Sequence, residues 1–539
     1  MGLSTVPDER PPALVVKAPV NAGDAGGAPS GRREQRKGIF ALAILLVAVG
    51  SLWLATAARD LPYMHHPDEP VNLRVFNGMV EDGDLNPHFF IYPSLFVYVH
   101  AAVHLDGPIL GWLGGDEDAP FTEVRGTTHT TTPSSVMVHR AVSVVMGLVT
   151  VVAVYGTTRL LTRRMVPALF AAAVMATSVT LGVNARLVTP DVVATALVAC
   201  VLWASVQLWL RPTWGSHVLA GTMVGLSASS KYNAAIVAVT VVAAASLSAG
   251  LRGDSPSRAL KLGASGLAAG TAFLVTTPYA LLDRSTFLEQ LRYQRQHYAS
   301  GHPGMDGDAA RWYAGYLLST ETLLIVVAAL GLAVTVVWGR WRPGILLSAF
   351  PLVYGAFVAG QAVRNDRTIL LVLPHLAVLA AFGGAVALER FAPDGLRSSI
   401  PLRNLTAGVV VLAVAALAVQ GARLVARLNP PPTTYSQARE WIEGNVAAGS
   451  SVYIESYSPW VDPDVYEVGS ANYLIGVSDL LAGDWSYLVA SETAYSRFVD
   501  HPDRFPEYAR RYEALFEQTR TVVRFEGEGP MISILQPRT

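Results

Sequence analysis

The sequence predicts an α-helical polytopic membrane protein of about eleven transmembrane helices, followed by a small α/β domain outside the cytoplasm. Three observations carry this. Hydrophobic residues make up 51% of the 539-residue chain and charged residues only 15%, with a mean hydropathy of +0.36. A soluble protein of this length has no use for that much apolar surface. Apolar windows of bilayer length recur along the first four-fifths of the chain, and Lys and Arg gather in alternate connections between them.

The windows fall at 39–58, 137–160, 165–183, 190–210, 216–231, 232–250, 260–280, 315–338, 344–361, 368–388 and 405–427. The first follows "GRREQRKG" and resembles a signal peptide, with "ATAARD" as a small-residue cleavage site. Its apolar run is long enough to span a bilayer, so it reads as an uncleaved first helix. Residues 1–38 form a cytoplasmic tail, rich in Pro, Ala and Gly over the first thirty positions and without apolar periodicity. The stretch 89–105 carries Tyr92, Pro93, Tyr98, His100 and His104, which suits an interfacial helix.

Basic residues set the orientation. With "RREQRK" cytoplasmic, Arg159, Arg163, Arg164, Arg211, Arg252, Arg258, Lys261, Arg340, Arg342, Arg390, Arg397 and Arg403 share that side. Counting 89–105 as a further span would invert the later loops and destroy this pattern. The chain is thus expected to be a multi-pass protein of the plasma (inner) membrane with its N-terminus in the cytoplasm. The 59–136 loop, the region around Asp191, residues 281–314, "VRNDR" at 363–367 and everything after 428 then lie outside.

Residues 429–539 change character. The Pro-rich "NPPPTTYS" introduces an amphipathic helix in "YSQAREWIEGN" and a strand in "SVYIES". Further strands are expected in "WSYLVAS" and "PMISILQP", with the helical "PEYARRYEALFEQ" between them. A formal net charge of −1 points to no nucleic-acid partner. The single cysteine, Cys200, excludes an intramolecular disulfide.

Several segments together resemble the GT-C superfamily of membrane glycosyltransferases, in the branch holding protein O-mannosyltransferases and lipid A aminoarabinose transferases. They are a long outer loop opening with "DE" at Asp68 and Glu69, "NPHFFIYPSLFVYV", "HRAVSVVMGLVTVVAVYGTTRLL", "ARLVTPDVVATAL", "GLSASSKYNAAIV" and "RNDRTILLVLPHLAVLAA". Their order and spacing over residues 39–428 carry the likeness. One departure is plain: the aminoarabinose enzymes have an acid and a Lys before the Pro-rich segment, where this chain has Asn86 and His88.

The resemblance implies a 39–428 catalytic domain that transfers a sugar from a polyprenyl-phosphate donor to a hydroxyl of a lipid, glycan or protein acceptor. That reaction needs a base for the acceptor proton and positive charge for the departing phosphate. Asp68 is the candidate base, expected to have a raised pKa at a poorly hydrated membrane edge. Glu69 and Asp191 join it as catalytic candidates, although all three acids also suit helix N-termini. Arg140, Lys231, Arg364 and Arg367 are candidate phosphate ligands, or snorkelling anchors. Tyr92, His297 and His302 are candidate substrate-loop residues. His302, with Asp68 or Glu69, is a candidate ligand for a divalent ion, though no tight ligand spacing is present. Two other classes remain open: a flippase of the same lipid-linked sugar, which would want mid-membrane charges and repeated halves, and a scaffold whose outer domain binds a partner.

Overall fold

The computed structural model describes residues 29–538 apart from 105–126, 131, 249–254, 302, 304–306, 392–399, 477–479 and 481–483. The residues of the expected tail before 29 lie outside it. The first helix already begins at Pro29 and runs to Ala57, taking in the basic run. Arg, Lys, Gln and Glu are good helix formers, and only Gly38 stands between them and the apolar segment.

Among the described residues, seven helices are long and apolar enough to cross a membrane, or eight if a bent pair counts as one span. Eleven were expected. The difference lies in three places where apolar windows fold as shorter pieces: Met165–Ala176, Trp214–Ala228, and a 3₁₀ turn Tyr232–Val237 running into Ala238–Leu247. The bent pair is Ala309–Thr320 and Thr322–Val337, which meet at 105° around the buried Glu321. Residues 281–314 were expected to be a loop, yet Arg284–Ser300 is helical. The stretch 89–105 contains the short apolar helix Ser94–His104.

The membrane part has a continuous core around Trp53, Val151, Leu181, Leu202, Phe350 and Leu371. Its outward faces stay apolar: Phe40, Val47, Leu267, Val275, Leu412 and Val414 are all more than half exposed. An apolar belt around an apolar core is what a bilayer solvent selects. Some helices touch at backbone distance. A Cβ on Gly221 or Gly225 would lie 2.1 or 2.2 Å from the carbonyl oxygens of Ser265 and Ala269. The four-residue spacing lets the Trp214–Ala228 and Ser255–Thr276 helices close, as small residues do in membranes.

Two sheets complete the fold. A short antiparallel pair joins β1 (Tyr63–Met64) to β2 (Thr128–His129), near the two ends of the first long loop. The C-terminal sheet has five strands, β3 (Ser451–Glu455), β4 (Glu467–Ala471), β5 (Tyr487–Ser491), β6 (Thr519–Phe525) and β7 (Ile532–Pro537), in the order β4-β3-β5-β7-β6. β3 is parallel to β4 and β5, and β7 is antiparallel to β5 and β6. Helices Thr434–Asn445, Glu492–Val499 and Pro506–Gln518 pack on it.

This C-terminal unit grips the first loop. Thr127 donates its backbone N–H and its hydroxyl to the Ser458 carbonyl, at 3.0 and 3.1 Å. Tyr435 stacks on His65 at 4.7 Å, Trp460 stacks on His129 at 5.2 Å, and the Arg439 guanidinium sits 3.8 Å above the Tyr63 ring. The grip ends three residues before Asp68.

Candidate active site

The Asp68–Asp82 helix starts directly after Pro67, and its first turn holds Asp68 and Glu69. Both carboxylates sit where the exposed N–H groups of a helix favour negative charge. Neighbours on a helix are about 100° apart, so the two point to different surroundings.

Glu69 points inward and is fully buried. Its two oxygens accept from Arg140 Nε at 3.0 Å and Nη2 at 2.8 Å, and Oε1 also accepts the Val188 N–H at 2.9 Å. Arg140, equally buried, donates from Nη1 to the Ala57 carbonyl and to Asp60 Oδ1 at 3.1 Å. Nearby, Asn72 donates to the Val188 carbonyl at 2.8 Å and Arg186 to the Thr56 carbonyl at 3.1 Å. This cluster staples the loop after the first helix to the Pro133–Thr162 helix and to the segment that leads into Asp191.

Asp68 points to the other side and is part of a row of charges. Its Oδ2 accepts from Arg367 Nη1 at 2.5 Å and from the Tyr92 hydroxyl at 3.0 Å. Arg367 Nε lies 3.9 Å from Asp191 Oδ2, and Asp191 Oδ1 accepts from Lys231 Nζ at 2.5 Å. His66 Nε2 is 3.3 Å from Arg367 Nη1.

Each member comes from a different local device. Thr189 and Pro190 start the helix whose first turn carries Asp191. Lys231 sits where the chain unwinds between Ala228 and Tyr232, and it is only 7% exposed. Arg367 follows Asn365, whose side chain accepts the Thr368 N–H and caps a short turn.

The electrostatics correct one expectation. Burial pushes the Asp68 carboxyl up, but the Arg367 guanidinium, with His66 and the Tyr92 hydroxyl, outweighs it and holds the carboxyl below its usual range. The membrane-edge argument weighed only burial; the decisive guanidinium belongs to a residue 299 positions away in sequence. Tyr92, pushed up by burial and by the Asp68 charge, keeps its proton and acts as a donor. Burial pulls His65 down to about 4 and, with Arg367, lowers His66, so both imidazoles are neutral at neutral pH.

The structure brings Asp68, Tyr92, Asp191, Lys231 and Arg367 together and sets Glu69 with Arg140 in the separate buried cluster. Arg364 lines a cavity of about 470 Å³ with Arg311, Trp312 and Tyr316, whose rings stack at 5.6 Å. His297 packs its ring on Tyr293 at 5.9 Å, on the Arg284–Ser300 helix. His302 lies outside the described residues. Asn86 and His88 bind toward that helix and its N-terminal Asp283: Asn86 donates to Asp283 at 3.0 Å, and Gln290 donates to the His88 carbonyl at 3.0 Å. Sequence reasoning missed His66 and Asp60; the position of His66 two residues before Asp68 was the available signal.

No group of three or more His, Cys, Asp or Glu side chains able to hold a metal ion occurs among the described residues. Asp68, Glu69 and Asp191 each already face a Lys or Arg, a donor set that does not fit a divalent ion.

A polytopic helical body carrying a C-terminal sheet unit is a GT-C type fold, which this chain shares with the solved structures it resembles. Residues 131–281 match the family described as dolichyl-phosphate-mannose-protein mannosyltransferase. The chain is similar in structure to ArnT from Cupriavidus metallidurans bound to undecaprenyl phosphate, at 14% identity and a TM-score of 0.52, over 94% of this chain and 98% of that one. It is also similar to the archaeal oligosaccharyltransferase AglB from Archaeoglobus fulgidus in complex with an inhibitory peptide and a dolichol-phosphate. That match has 11% identity and a TM-score of 0.50, over 90% of this chain and 72% of that one. No curated protein matches the sequence.

Proposed function

We infer that this protein is a membrane glycosyltransferase that moves a sugar from a polyprenyl-phosphate donor to an acceptor hydroxyl on the outer face. The observation that carries the reading is the row Lys231–Asp191–Arg367–Asp68, assembled from four distant segments and ending on one half-buried carboxylate. Two of the similar structures hold a polyprenyl or dolichol phosphate, which supports the donor class. The topology that serves it is the eleven-crossing one, with the three shorter helical stretches completing the bundle and the 429–539 unit outside.

The residues divide the work. The acceptor oxygen attacks the anomeric carbon, the bond from that carbon to the phosphate oxygen breaks, and the acceptor proton passes to Asp68. The donor is a phosphodiester with one negative charge, and the departing lipid phosphate gains a second. Arg367 and Lys231 offset that gain where it develops, Arg through its planar fork and Lys as a point charge. Asp191 holds Lys231 and Arg367 in place, and Tyr92 orients Asp68. Arg364 and Arg311 attract the phosphate at the mouth of the neighbouring cavity, whose stacked Trp312 and Tyr316 suit the prenyl chain. Glu69 and Arg140 set the backbone from which Asp68 projects and touch no substrate.

The pKa of Asp68 is lowered chiefly by Arg367. A donor phosphate competes for Arg367, and as the guanidinium turns to it the burial that Arg367 had outweighed raises the carboxyl. The base is therefore strengthened by the arrival of the donor.

The test is sugar transfer by the purified protein in lipid nanodiscs, offered polyprenyl-phosphate monosaccharides and membrane-extract acceptors. Wild type should transfer and Asp68→Asn should not. Movement of the intact lipid between leaflets without transfer by either protein would replace this reading with that of a flippase.

A further inference from the structure

His66 lies two residues before Asp68, and its half-buried ring touches two members of the charged row. Nδ1 accepts the Asp68 backbone N–H at 3.2 Å, and Nε2 lies 3.3 Å from Arg367 Nη1. Burial and the Arg367 charge lower the imidazole from its usual range, so the ring is neutral at neutral pH.

A neutral imidazole carries one N–H and one lone pair, whereas a peptide N–H and a guanidinium can only donate. Whichever nitrogen holds the ring proton, that proton therefore points at another donor. On Nδ1 it meets the Asp68 N–H, and on Nε2 it meets Arg367 Nη1. A doubly protonated ring would oppose a donor on both sides. These neighbours satisfy no tautomer, and a misdirected donor in a half-buried place costs free energy.

The two neighbours differ in freedom. The Asp68 N–H belongs to the first turn of the Asp68–Asp82 helix, where the main chain is fixed and such groups have no partner within the helix. Nδ1 supplies that partner, so the ring proton belongs on Nε2. Arg367 is a side chain, 19% exposed, and its Nη1 also donates to Asp68 Oδ2 at 2.5 Å. Nε2–H and Nη1–H thus face one another at 3.3 Å, close enough for both to reach a single oxygen at about 2.9 Å. The pair selects an acceptor, and beside a guanidinium an anionic oxygen gains most.

We propose that His66 is a ligand of the donor phosphate: its Nε2–H and Arg367 Nη1–H converge on one phosphate oxygen while Nδ1 keeps the Asp68 N–H. This rests on the glycosyltransferase reading and adds an uncharged donor to the cations Arg367 and Lys231. Because the ring is bonded to the Asp68 main chain, it also ties the position of the phosphate to that of the carboxylate two residues on.

The test measures binding of three lipids of equal chain length to the full-length protein in nanodiscs: a polyprenol, a polyprenyl phosphate and a polyprenyl-phosphate monosaccharide. Wild type should bind the two phosphates more tightly than the alcohol. His66→Phe keeps a ring but no donor, and should weaken both phosphates about tenfold while leaving the alcohol unchanged. His66→Gln, whose amide nitrogen can stand where Nε2–H stands, should restore most of that loss. Nitrogen NMR of labelled histidine in wild type needs no loss of the ring: it should find Nε2 protonated and its proton moved downfield by the polyprenyl phosphate. Equal phosphate affinity in wild type and His66→Phe, or a ring protonated on Nδ1 with the phosphate bound, overturns the assignment of His66 alone. A loss confined to the monosaccharide lipid also overturns it and puts the ring on the sugar. If wild type binds the phosphates no better than the alcohol, the donor reading fails and His66 with it.

Discussion

Asp68 and Glu69 are neighbours in one helical turn, yet they belong to opposite kinds of ion pair. Glu69 and Arg140 have side chains 0% and 1% exposed, and every oxygen and donor that faces the pair is satisfied by main chain or by Asp60. Asp68 and Arg367 are 27% and 19% exposed, and their partners are other charged or titratable groups. A closed pair of the first kind fixes a backbone, because any rearrangement would strand a buried charge. An open pair of the second kind can exchange partners when a substrate brings its own charge. One turn of helix supplies both the anchor and the working group.

The sharpest test of this contrast is Asp68→Asn. It should cut glycosyl transfer by about 10²–10⁴-fold, the usual yield of a general base, while the melting temperature hardly moves. Arg140→Met should do the reverse. Leaving Glu69 buried without its partner should cost about 3–5 kcal/mol of stability, read as lost monodisperse protein in detergent. The double variant Glu69→Leu/Arg140→Met should recover much of that loss, which Asp68 variants have no means of doing. If Arg140→Met melts normally but loses donor binding, the division between the two pairs is wrong.

A smaller effect concerns pH. The Asp68 carboxyl is held below the ordinary carboxylate range, so its pair contributes stability at neutral pH that is lost as pH falls through the lowered value. Arg367→Met removes the charge that outweighs burial and should move the acid limb of kcat/KM to higher pH, as well as lowering its plateau. An unmoved limb would mean that Arg367 does not govern the base.

The smallest effect lies in the C-terminal unit, at another buried carboxyl. Glu455 accepts the Ser491 and Leu474 N–H groups at 2.7 and 3.1 Å and the Tyr512 hydroxyl at 2.6 Å, yet burial raises it from 4.5 to about 7. The folded state thus holds this proton more tightly than the unfolded one. Stability of the unit should fall as pH rises from 4.5 to about 7 and then level, and Glu455→Gln should flatten that slope in thermal melts.

Much of this was legible in the sequence, for reasons that also mark where reading stops. Helices at 190–210 and 434–445 and strands at 451–455, 487–491 and 532–537 carry dense local signals, and they form. β4, with its half-buried "EVGSA", and β6 gave no comparable pattern, since their pairing is set by the strands beside them. Charges on the expected outer side picked out Asp191, Lys231 and Arg367, because a membrane protein seldom keeps such residues without a partner. Which partner each one takes depends on segments from 40 to 299 positions apart, and no local spacing holds that information. Arg140, a candidate phosphate ligand from the sequence, likewise pairs with Glu69, 71 positions away.

The row of Lys231, Asp191, Arg367 and Asp68 contains two cations and two anions, with His66 neutral beside them. Its charge sums to zero before anything binds. A lipid phosphodiester entering such a site adds a negative charge beside Asp68 and so strengthens the carboxylate's pull on a proton, which suits a base that must next take one from the acceptor. A row that starts neutral thus admits an anionic donor while its base stays ionised for the acceptor's proton.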